Sequence, residues 1–155
     1  MVDQKPPRLA GGDRETLLAL LRYQRESFLR KTDGVGEKAG ASSPVASGTS
    51  LLWLTNHVAD AEEGWVLRRF ARAGGGVAGP WSDSLEGARE RYRRVWSEVD
   101  EVIEAAPSLD SECGAFDDQA TVNLRWIVAH LLEEVARHAG HADILRELID
   151  GQTGR

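Results

Sequence analysis

A chain of 155 residues and 17.0 kDa fits a single domain, spanning 1–155, with room for a substantial core. Hydrophobic residues at 41% and charged residues at 28% are those of an ordinary globular protein, and a net charge of −6 argues against a nucleic-acid surface. The opening Met1-Val2-Asp3-Gln4-Lys5-Pro6-Pro7 has no signal-peptide character, and no segment approaches the ~18 consecutive apolar residues of a membrane span, so a cytoplasmic location is expected.

Met1 to Gly12 carries Pro6, Pro7, Gly11 and Gly12 and reads as a flexible or loosely docked arm. Asp13 is the expected cap of a first helix to about Lys31, on which Leu17, Leu18, Leu21, Phe28 and Leu29 recur at helical spacing while Arg14, Arg22, Arg25 and Arg30 take the other faces. Thr32 to Gly48 holds too many glycines, serines and prolines for a regular element and reads as a long crossover or lid. Thr49 or Ser50 then caps a second helix to about Arg72, with Leu54, Val58, Ala61 and Trp65 on its buried face and His57 at the edge of that face.

Ala73 to Pro80 is a glycine-rich linker without the residues of a phosphate loop. Asp83 with Glu86 suggests a capping box for a third helix, which Pro107 stops near Ala106 and whose many charges, Arg91 among them, read as a solvated face. The only cysteine, Cys113, lies in the loop from Pro107 to Asp118; it rules out an intrachain disulfide and reads as an incidental thiol, with no histidine near it in sequence. Asp117, Asp118 or Thr121 could cap a fourth helix reaching Asp150. Four long amphipathic helices with no strand pattern give an all-α fold, a four-helix bundle whose long loops allow crossover connections.

The fourth helix carries His130, Glu134, His138 and His141 on neighbouring positions. At about 100° per residue, with Ile127 at zero, Glu134 falls near −20° and His138 near +20°, within the apolar stripe. A carboxylate and an imidazole aimed at a core are costly unless paired or bound to a metal. His130 and His138 stand about 12 Å apart along the axis, too far to share an ion. A third ligand must come from another helix, and His57 is the only histidine outside the fourth. The candidate sets are His57 with Glu134 and His138, or His57 with His138 and His141; the first is better centred. A purely structural Glu134–His138 pair is the alternative.

Two segments carry a family resemblance. Leu51 to Trp65, with His57-Val58-Ala59-Asp60-Ala61-Glu62-Glu63-Gly64-Trp65 reading H-x-A-x-x-E-x-x-W, and Asn123 to Arg146, with a ligand pair at i, i+4 followed by glycine, resemble the second- and fourth-helix motifs of the DinB-like superfamily. The closer likeness is to the actinobacterial branch related to mycothiol-dependent maleylpyruvate isomerase, in agreement with a composition rich in Ala, Gly and Arg. The resemblance implies a divalent metal, zinc first and nickel second, on His57, Glu134 and His138. It leaves His141 and His130 as candidates for supporting the ligands, and it implies a low-molecular-weight thiol, mycothiol in an actinobacterium, as cosubstrate with a small-molecule acceptor. The expected function is a metal-dependent thiol S-transferase. A small metal-dependent hydrolase is the second reading, and a non-enzymatic dimeric stress-response or binding module, with Trp126 and Ile144 as a homodimer patch, is the third.

Overall fold

In a computed structural model of the protein, which describes residues 4–72, 79–114 and 120–154, four long helices pack around one core. They are α1 (Asp13–Arg30), α3 (Leu51–Glu62), α4 (Leu85–Ala105) and α5 (Leu124–Asp150), with a short α2 (Glu37–Ala41) between the first two. One small antiparallel pair, β1 (Glu112–Cys113) and β2 (Val122–Asn123), leads into α5, with Cys113 buried opposite Val122. The all-α bundle read from periodicity is the fold observed. None of the helices among the described residues is long and apolar enough to cross a membrane.

Side-chain pairing between helices gives their directions. Asp13 meets Arg125 and Lys31 meets Asp143, so α1 and α5 run parallel. His57 meets Glu134 and Trp65 meets Trp126, so α3 opposes α5. Asn56 bonds Ser82 and Glu62 accepts from Tyr92, so α3 and α4 run parallel, a crossover arrangement rather than a strict up-and-down bundle.

Several local expectations are corrected. Gly12, not Asp13, is the N-cap of α1, and Asp13 is its first residue. The cap of α4 is Ser84, whose hydroxyl accepts from the Gly87 N–H at 3.1 Å, so Asp83 and Glu86 make no capping box. Ser50 caps α3 as expected, while Asn123 caps α5 in place of Thr121; Asp117, Asp118 and most of the glycine-rich linker lie outside the described residues. The stretch 32–48 contains α2 despite its breakers. Both Glu37 carboxylate oxygens accept from the first backbone N–H groups of α4, at 2.5 Å from Leu85 and 3.1 Å from Glu86. A tertiary cap of this kind cannot be seen in local propensity.

The charges read as solvated are in part the centre of the bundle. Arg25 and Glu62 are both fully buried and joined by two hydrogen bonds, 2.9 Å from Arg25 Nε and 2.5 Å from Nη2. Tyr92 donates to Glu62 at 2.8 Å, and Arg25 Nη1 donates to Asp100 at 2.7 Å. Burial keeps the Tyr92 hydroxyl protonated well beyond its ordinary range, so it remains a donor. Arg91 is likewise buried and donates to Glu63 at 3.1 Å and to the Asn56 carbonyl at 3.1 Å.

Glu63 also opens a change of register. From Glu63 to Phe70 the helix continues with π-type bonding, whose wider turn shifts every later side chain relative to the α-helical stripe. Val66 and Leu67 are buried there, and Trp65, expected on the buried face, is only partly covered and faces α5.

Candidate metal centre

His57 from α3 and Glu134 and His138 from α5 come together between the two antiparallel helices. Each offers one ligand atom, and the three atoms lie within 4.8 Å of one another. Glu134 Oε1 is the hub, at 3.0 Å from Nε2 of both His57 and His138. Because a carboxylate only accepts, each imidazole donates its Nε2–H to this oxygen. Trp53, one turn before His57, stacks on its ring with centroids 4.8 Å apart and planes at 9°, and the His57 and His138 rings meet edge to face at 4.7 Å. His57 is thereby held from above as well as through its nitrogen.

The triad is half-buried, with side-chain exposures of 31% for His57, 16% for Glu134 and 12% for His138. This corrects the expected placement in mid-stripe. The fully buried residues of α5 include Leu131, Val135 and Ala142, centred about 60° round from Ile127, which puts Glu134 and His138 at the margin facing α3. The margin is where a site open to solutes must be.

Electrostatics set the charge states of Glu134 and His138. Burial is the largest influence on Glu134 and acts to raise its pKa, but the hydrogen bond from His57 and the charge and hydrogen bond of His138 outweigh it, and the result lies below the usual 4.5. Burial likewise dominates at His138 and lowers its pKa below 6.5, against the pull of Glu134 and with the help of His57 and His141. Near neutral pH the site therefore presents a carboxylate and a neutral imidazole, the states in which both groups bind metals.

Donor geometry is also compatible with an ion. Ligand atoms around a tetrahedral zinc are about 3.4 Å apart for bonds of about 2.1 Å, close to the two 3.0 Å separations observed. His141 sits one turn on, its Nδ1 3.2 Å from Nδ1 of His138, and beyond it a cleft of about 330 Å³ is lined by Val45, Ser47, Thr49, His141, Ile144 and Leu145. His130 goes elsewhere. It stacks on Trp126 at 4.9 Å and 18° and meets Trp65 edge-on at 5.2 Å, with the Arg69 guanidinium 4.5 Å above the Trp65 ring. Sequence reasoning missed this aromatic cluster because it depends on the π-helical turn of Trp65.

A helical bundle with up-down-down-up helices and a half-buried His–Glu–His cluster between two of them is the class that fold and site define. A model of the mycothiol-S-transferase family matches residues 16–151, and the chain belongs to that family. The match agrees with the DinB-like, mycothiol-related resemblance of the two helix motifs. No curated protein matches the sequence.

Proposed function

We propose that the protein is a metal-dependent thiol S-transferase that uses mycothiol, with His57, Glu134 and His138 as the ligands of a divalent ion, zinc before nickel. The observation that carries this reading is the convergence of three ligand atoms on two helices, in a chain of the mycothiol-S-transferase family. When bound, the ion supplies the charge that keeps a thiol deprotonated near neutral pH, with a position open beyond three protein ligands.

The chain's own residues prepare the site. Ligation through Nε2 requires the His138 proton to reside on Nδ1, and the Nδ1 of His141 at 3.2 Å is placed to accept it. Trp53 holds the plane of the His57 ring. Trp126 and Ile144, once candidates for a dimer patch, have local uses: Trp126 completes the aromatic cluster and Ile144 lines the cleft. These local contacts account for the two side chains within one chain.

Elemental analysis of purified protein and of Glu134→Ala and His57→Ala, beside a conjugation assay of mycothiol with an electrophile, tests the reading. Stoichiometric metal in the wild type, its loss in both variants, and thiol-dependent conjugation lost with it are expected. Full metal occupancy in the variants overturns the ligand set. Turnover that needs metal but no thiol instead favours the hydrolase.

A further inference from the structure

We propose that the cleft between α5 and the loop before α3, beside His141, binds the apolar acceptor of the reaction, a small hydrophobic electrophile of one to two rings. The word acceptor rests on the S-transferase reading; the cleft's preference for an apolar guest does not.

The cleft adjoins the triad through a single residue. His141 bonds His138 with Nδ1 and lines the cleft, so a guest there lies one side chain from the candidate ligands. One wall is α5, where Leu145 is buried and Ile144, 58% exposed, offers its aliphatic side chain to the cleft. The facing wall is the loop before α3, and it is built rather than slack. Ser43 Oγ lies 2.9 Å from the Val45 carbonyl and 2.7 Å from that of Thr49, and Ser47 and Thr49 bond through their hydroxyls at 3.0 Å. Gly48 takes φ of 79°, a left-handed conformation natural to glycine, and its N–H donates to the Val45 carbonyl at 3.1 Å. Val45 on this wall and Ile144 and Leu145 on the other supply the aliphatic lining.

Size narrows the guest. A cavity of ~150 Å³ lined by aliphatic side chains holds benzene, so about 330 Å³, roughly twice that, admits a guest of up to about two rings. The opposite end of α5 differs in kind, with Trp65, Trp126 and His130 beside the Arg69 cation.

The test uses benzyl alcohol, an unreactive apolar probe, with glycerol as the polar control, titrated into metal-loaded protein and followed by methyl and histidine-ring NMR. Saturable shifts at Val45, Ile144 and His141 with benzyl alcohol alone are expected. Binding should weaken by roughly tenfold or more in Ile144→Asp, which alters an exposed position, and in Val45→Trp, which fills the space. Shifts that do not saturate, or wild-type affinity in both variants, overturn the inference. If the probe binds as described and no thiol conjugation is found, the S-transferase reading falls and the apolar site remains. If conjugation occurs with an acceptor KM that neither variant changes, the cleft inference falls alone.

Discussion

Nδ1 of His141 lies 3.2 Å from Nδ1 of His138, so the imidazole that closes the triad is held at both of its nitrogens. Groups that bond the far side of a ligating imidazole commonly contribute 10–100-fold in metal affinity. His141→Ala is therefore expected to retain metal but bind it about 10–100-fold more weakly in a chelator competition, whereas His138→Ala binds none stoichiometrically. Equal affinities for His141→Ala and wild type would show that the contact plays no part.

The metal-free protein should lose stability on acidification in a defined order. A depressed folded-state pKa means that protons bind the unfolded chain more tightly, so the associated stability is present above the unfolded value and lost as pH falls through the folded one. For His138 that loss begins as pH drops below 6.5, and for Glu134 as it drops below 4.5. Thermal melts in chelator from pH 8 to pH 5 should show a smaller acid-induced decrease in His138→Ala than in wild type. Parallel curves would refute the shift.

Breaking the Arg25–Glu62 pair leaves a charge in the core. Arg25→Ala is expected to cost about 3–5 kcal/mol in urea unfolding, as is typical when one partner of a buried pair is removed. Replacing both partners, as Arg25→Met with Glu62→Leu, should recover most of that loss. A double variant no better than Arg25→Ala would indicate that Tyr92 and Asp100, not the ion pair, dominate the region.

Glu37 ties the loop before α3 to the start of α4 through two backbone N–H groups. Glu37→Ala removes a charged cap and should lower stability by about 1 kcal/mol. Hydrogen exchange should quicken at Leu85 and Glu86 while the α5 amides keep their protection. Unchanged exchange at those two amides would refute the cap.

The parts of this molecule legible in sequence are those that repeat. Leu54 and Val58, or Leu131 and Leu145, declare their helices because burial recurs every 3.6 residues. Glu134 and His138 could be singled out because charged and polar groups on an apolar stripe are costly, and His57 because it is the only histidine outside the fourth helix, although choosing Glu134 over His141 needed the family motifs. The same reasoning applied to Arg25, one turn from both Leu21 and Leu29, and to Glu62, one turn after Val58, would have found the buried pair. Two obstacles were physical. The π-helical stretch breaks the period that carries the signal, hiding Trp65, and Glu37 acts on a helix start far along the chain, so no window of neighbours contains its reason.

Glu62 accepts from Arg25 of α1 and from Tyr92 of α4 while standing on α3. No pair of these helices satisfies it alone, and a subassembly lacking α1 would leave an unpaired carboxylate in an apolar interior. Partial opening is thereby disfavoured at the very helix that presents His57, and α1, α3 and α4 are coupled into one cooperative unit whose amides should exchange together. The rigidity of one wall of the half-buried site is secured on the far side of the bundle.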